Sequence, residues 1–285
     1  MELRPLYLLT FSGLTTVVML LLFRLGQRLL SPQHTVRKDL EHGDTARALL
    51  QVGQVLSVFL IAGSVVAGSA QGESVGRDAL WVTAYGLLAL GLLAVFGHLG
   101  VKVLLRARLP QEVARGNSAA GLAAGAHYLA TGIILSRSIS GSDVATLGIA
   151  LVFFVLSQLA LHLFVMLFRT LTAYDDAEEV LGENIAAAIS YAGITIAISL
   201  IIGHAVEGTF VGWAASLRGF SQALLFIVTL YPVRQLLVQS LLLGARFTLR
   251  GGRLDQGIAA ERNLGMAVLE AVAYLAAAFL VTRIS

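Results

Sequence analysis

The sequence predicts an all-α polytopic membrane protein of eight transmembrane helices, and three observations predict it. The first is composition: across 285 residues, 57% are hydrophobic and only 13% charged. Soluble domains run at roughly 45–50% and 25%. The second is segment length, because eight apolar stretches meet or approach the roughly 20 residues that cross a hydrocarbon core. The third is a repeated outline, Asn or Asp, any residue, then a small one. It stands at Asp44-Thr45-Ala46, Asn117-Ser118-Ala119, Asn184-Ile185-Ala186 and Asn263-Leu264-Gly265, at intervals of 73, 67 and 79 residues. Each copy runs into a long apolar stretch, so the chain reads as four versions of one unit.

In chain order the predicted spans are Leu6 to Leu30, Ala46 to Ala67, Ala79 to Leu105, Ala119 to Leu135, Val144 to Phe168, Ile185 to Val206, Phe220 to Leu243 and Leu264 to Val281. The fourth and eighth are the shortest. Helices are required because an unpaired backbone amide is too costly in lipid and no stretch alternates as a barrel strand does. The first segment carries Arg4, then Leu6 to Phe23, with no small-residue cleavage pattern before Arg24 and Arg28. A retained first span is therefore expected instead of a removed signal peptide.

Charge sets the expected orientation. Fifteen Lys and Arg residues lie on the side of the four motifs, among them Arg24, Arg28, Arg37, Lys38, Arg106, Arg108 and Arg115, against five on the opposite side. The positive-inside rule then places the motif loops in the cytoplasm and both termini outside. Each unit is a span running inward, a cytoplasmic connection and a span running outward. This gives four parallel two-helix repeats, in two four-helix halves at 1–140 and 141–285, related by an axis along the membrane normal. Small residues four apart prepare the even-numbered spans for close packing: Gly121 and Gly125, Ala188 and Ala192, Ala267 and Ala271. The connections on the other side, near Gln71 to Asp78, Ser138 to Asp143 and Glu207 to Gly219, are too short for a domain.

The run Leu171-Thr172-Ala173-Tyr174-Asp175-Asp176-Ala177-Glu178-Glu179-Val180, followed by Gly182-Glu183-Asn184-Ile185-Ala186-Ala187-Ala188-Ile189 and Gly193, resembles the signature of the bacterial inner-membrane family catalogued as "domain of unknown function 350". Arg115-Gly116-Asn117-Ser118-Ala119-Ala120 is similar to it as well. A member domain has four spans, so the resemblance implies two domains in tandem. The first unit departs with Asp44 and Arg47, and the fourth with Gly265-Met266. The resemblance implies a fold and a location but no reaction. Neighbourhoods of envelope stress and peptide modification imply partners.

Two readings stand for Asp44, Asn117, Asn184 and Asn263. Each can cap its helix, or four helix N-termini can converge around the axis into an anion-attracting mouth. Glu270 lies seven residues past Asn263 and hence about 10 Å into the membrane at 1.5 Å per residue. A carboxylate at that depth needs a partner, and Arg234 is the candidate, either as an ion pair fixing the last hairpin or as part of a proton or solute path. Pro232 is expected to kink the seventh span. His98, His127 and His162 can relay protons, but none has the i, i+4 partner of a helical metal site. Asp175 is expected to cap a short interfacial helix with an acidic first turn, and the loops from Arg106 to Arg115 and Arg246 to Arg253 to lie on anionic lipid.

With no Cys, thiolate chemistry and disulfides are excluded. Basic residues between apolar spans do not form a nucleic-acid stripe. No phosphate loop, nucleophile elbow or HExxH sequence occurs, so no cofactor, metal or enzymatic activity is expected. Two functional readings follow. One is a non-enzymatic scaffold in the lipid bilayer that docks a cytoplasmic or membrane protein or a second copy of itself. The other is a channel or transporter for an ion or small solute, built on Glu270, Arg234 and His127.

Overall fold

The computed structural model describes residues 3–30, 41, 43–72, 74–105 and 109–284. Arg37, Lys38, Arg106 and Arg108 of the charge count lie outside them. The described residues include eight helices long and apolar enough to cross a membrane: Leu6–Leu29, Thr45–Ser69, Val75–Val103, Ser118–Ser138, Val144–Leu171, Ile185–Val206, Trp213–Leu242 and Leu264–Ile284. The fourth is longer than the sequence predicts, because Arg137 sits on its last turn and interrupts the apolar run, not the helix.

The seventh departs most. It starts at Trp213, earlier than Phe220, so the connection before it is shorter than expected. It then changes helical class three times: an α segment Trp213–Leu224, a 3₁₀ turn Leu225–Thr229, a short α turn Leu230–Pro232 and a π segment Val233–Leu242. Pro232 has no N–H to give its preceding turn, and the chain meets that loss by rewinding around it.

The even-numbered spans pack in a row, second on fourth, fourth on sixth and sixth on eighth. This corrects the expected convergence of four helix N-termini around an axis: among the described residues, the second and eighth spans share no substantial contact. Odd-numbered spans flank the row, so the fourth and sixth spans are enclosed on all sides. Packing between the fourth and sixth spans continues the row across the midpoint of the chain without a break.

Small residues make the row possible. A Cβ on Gly53 would come within 2.0 Å of the Gly125 carbonyl oxygen, and one on Gly121 within 2.1 Å of the Ala46 carbonyl oxygen. On the last pair, a Cβ on Gly193 would meet Ala271 at 2.5 Å. Backbones this close gain dispersion and interhelical hydrogen bonds, which drive association where lipid removes the hydrophobic difference. Ser57 donates to the Tyr128 carbonyl at 2.9 Å across the first of these contacts. At both ends the small residues stop. Val52 and Phe59 stand where the fourth span has Gly125 and Gly132, and Val272 stands where the sixth has Gly193. All three are exposed.

Candidate functional site

Two regions gather the singled-out residues. The first is the row of corners leading into the even-numbered spans. Asp44, Asn117, Asn184 and Asn263 each accept from a backbone N–H three residues on: Arg47 at 3.0 Å, Ala120 at 3.0 Å, Ala187 at 3.2 Å and Met266 at 3.1 Å. All four are thus helix caps. The residue before each one is left-handed, with φ of 69° at Gly43, 83° at Gly116, 63° at Glu183 and 50° at Arg262. The two non-glycine residues carry a backbone cost of about 1 kcal/mol or more.

The inner pair does more than cap. The Asn117 amide donates to Glu112 at 2.8 Å and to the Val180 carbonyl at 2.9 Å. Its counterpart Asn184 donates to Glu179 at 2.8 Å and to the carbonyls of Ile258 and Ala259 at 3.0 and 3.2 Å. Val180 belongs to the short helix Asp176–Leu181, and Ile258 and Ala259 to Arg253–Ala259. Each Asn therefore starts its own span and holds the loop helix of the next unit. Arg115 adds bonds to Glu183 at 2.7 Å and to the Leu181 carbonyl at 2.5 Å, and Arg262 reaches the Gly182 carbonyl at 3.1 Å. Asp44 has no amide to donate, and Asn263 ends the row. Arg115 is thus committed to protein partners, as is Arg253, which pairs with Glu261 at 2.6 Å.

The second region is a charge cluster inside the last two units. Arg234 Nε donates to Glu270 and its Nη2 to Asp255, and all three residues are at most 3% exposed. Ser190 donates to the other Glu270 oxygen at 2.5 Å, and Tyr274 to the first at 3.3 Å. Asp255 accepts in turn from the Ala173 N–H at 2.7 Å. The cluster joins the sixth, seventh and eighth spans to the loop helix Arg253–Ala259. Next to it Arg169 pairs with Asp175 at 2.8 Å and with Asp176 at 3.3 Å, and Asp175 caps the acidic helix as expected. Burial, with Glu270 and Asp175 nearby, outweighs Arg169 and lifts the Asp176 carboxyl to about 7. Burial also raises the Tyr174 hydroxyl well above its ordinary value.

Against this geometry, the family model described as "Domain of Unknown Function (DUF350)" matches the chain twice, over residues 1–139 and 142–284. The chain belongs to the DUF350 family. One curated relative, a "UPF0719 transmembrane protein" of Aquifex aeolicus (strain VF5), is 27% identical over 174 residues, which are 60% of this chain and 63% of the relative. The match thus spans less than two thirds of that relative's length. No solved structure matches. This DUF350 chain is a multi-pass protein of the bacterial inner membrane.

The histidines divide. His127 is wholly buried, its ring edge-on to His162 with centroids 5.5 Å apart. Neither ring nitrogen of His127 reaches a hydrogen-bond partner among the described residues; the Phe96 carbonyl approaches without bonding geometry. His98 lies apart from them, exposed on a groove of about 400 Å³ with Gln27, Gln54 and Tyr128. The described residues hold no group of three His, Cys, Asp or Glu arranged for a metal.

Sequence reasoning missed Asp255, Ser190 and Glu112, and it placed Asp176 and Glu179 in an acidic run without the partners they take here. Asp255 lies in a polar loop with nothing to mark it as buried. The two glutamates did leave a signal, since each stands five residues before an Asn of the motif.

Proposed function

We propose that this DUF350 chain is a non-enzymatic scaffold of the bacterial inner membrane that docks a protein partner on the face carrying the four motifs. In this reading the fold is four parallel two-helix repeats, inserted the same way up. The motif face is cytoplasmic, both termini are outside, and the halves meet near residue 140. The Lys and Arg distribution supports that orientation.

The observation that carries the reading is the strapped row of corners. Asn117 and Asn184 hold the loop helices of successive units over the starts of the enclosed fourth and sixth spans. The result is a preorganised polar surface with exposed Arg115, Glu183, Arg253 and Glu261. Preorganisation lowers the ordering cost of binding. Photocrosslinking probes at Gln111 and Glu178 in intact cells are expected to give one common protein adduct that a probe at Ser74, on the opposite face, does not give. Absence of that adduct refutes the scaffold.

A second reading, an ion or solute conduit, is favoured by one observation. Among the described residues, buried polar atoms of His127, Thr131, Ser157 and Gln158, on the facing fourth and fifth spans, make no hydrogen bond. Flux in proteoliposomes that Glu270→Gln abolishes establishes the conduit and removes the scaffold as a sufficient account.

A further inference from the structure

At the end of the bundle opposite the motifs, the fifth and seventh spans part. Between them, against the ends of the fourth and sixth spans, lies an open cavity of about 720 Å³. That size is in the range of small-molecule sites. One wall is aromatic, with Phe153 edge-on to Phe220 at 6.0 Å and stacked on Trp213 at 6.3 Å and 3°. Trp213 is held in turn by Phe210, edge-on at 5.1 Å. The other wall is charged: Arg137, from the end of the fourth span, donates to Glu207, at the end of the sixth. Each side chain of this pair is about half exposed, at 49% and 48%. Arg137 lies across Gly203, where a Cβ would stand 3.2 Å from its Cγ, so the glycine leaves a bed for the arginine stem. His204 stands 3.6 Å from the second Glu207 oxygen.

We propose that this cavity binds a zwitterionic phospholipid of the adjacent leaflet, of the phosphoethanolamine class. Arg137 uses one of its donors on Glu207 and offers others to a phosphate, while the Glu207 carboxylate faces outward for an ammonium group. The two protein charges and the two headgroup charges then alternate in sign. Below them, Phe153 and Phe220 give an acyl chain an apolar wall that runs into the bilayer. An anionic headgroup without an ammonium would bring a second negative charge against Glu207 with no cation to offset it, which is the basis of selection. A free headgroup would lack the aromatic contact, which is why the lipid is the ligand.

The test is native mass spectrometry of the detergent-solubilised full chain, titrated with phosphatidylethanolamine and with phosphatidylglycerol of identical acyl chains. Wild type is expected to prefer phosphatidylethanolamine by about tenfold, the size of one charge-assisted contact. Glu207→Gln is expected to bring the two lipids level, and Arg137→Gln to weaken both by about tenfold. Both side chains are half exposed, so melting temperatures should stay at the wild-type value. Equal binding of the two lipids by wild type overturns the proposal without any variant. So does a preference that survives Glu207→Gln, or displacement of the lipid by soluble glycerophosphoethanolamine at equal concentration.

Discussion

Arg234→Met is the sharpest perturbation of the charge cluster. Arg234 is 1% exposed and bonds to two carboxylates, those of Glu270 and Asp255, which are 1% and 3% exposed. Removing it leaves two buried carboxyl groups without their shared cation, facing each other across an apolar side chain. Breaking a buried pair from one side costs about 3–5 kcal/mol, and two orphaned partners put this variant at about 5 kcal/mol. Glu270→Gln is gentler, because it keeps the side-chain volume, one oxygen for Arg234, an amide that the Ser190 hydroxyl can accept from, and the bond between Arg234 and Asp255. About 2 kcal/mol is expected from the loss of one charge-assisted bond. Combined, the two substitutions should cost less than their sum by about 2 kcal/mol, since groups in one network do not add. Unfolding in mixed micelles, followed by the fluorescence of Trp81 and Trp213, measures all four corners of this cycle. The reasoning is refuted if Arg234→Met unfolds within about 1 kcal/mol of wild type or if the two effects add.

Asp176 gives a pH prediction. Its folded value of about 7 lies above the ordinary 3.8, so the folded state holds a proton that the unfolded state has lost between those two values. Its stabilising contribution is complete below pH 3.8 and disappears as pH rises through about 7. The full span corresponds to about 4 kcal/mol. Asp176→Asn should flatten the decline in melting temperature between pH 5 and pH 7.5, and an unchanged slope counts against the buried carboxyl. At the corners, Asn184→Ala should cost about 3 kcal/mol, a cap plus the strap to Ile258 and Ala259, and should speed amide exchange in Arg253–Ala259. Asp44→Asn, where no strap exists, should stay within about 0.5 kcal/mol. In the row, Gly121→Ala should destabilise by about 2–3 kcal/mol against the Ala46 carbonyl. Gly148→Ala, with nothing within 4 Å of its Cβ position, should be neutral or stabilising by the same unfolding assay.

The residues themselves determined that lipid is the solvent, that eight stretches are long and apolar enough to cross it and where each even-numbered span begins. Those are local properties. An apolar run of sufficient length must be helical in hydrocarbon, and an Asn followed by small residues caps a helix wherever it stands. Glu270 and Arg234 could be named because a charge at that depth is expensive in any arrangement. Tertiary structure alone decided that the even-numbered spans form a row. Whether helices close into a ring depends on which faces bear small residues over their whole length, and Val52, Phe59 and Val272 block the two end faces. It also decided that Asp255 completes the cluster, since a loop carboxylate is buried only by what folds over it. The left-handed corner is the remaining case. Gly43 and Gly116 advertise it, but Glu183 and Arg262 adopt the same backbone without a glycine, where the next N–H is tied back, Asn184 to the Glu179 carbonyl at 2.9 Å and Asn263 to the Gly257 carbonyl at 2.8 Å.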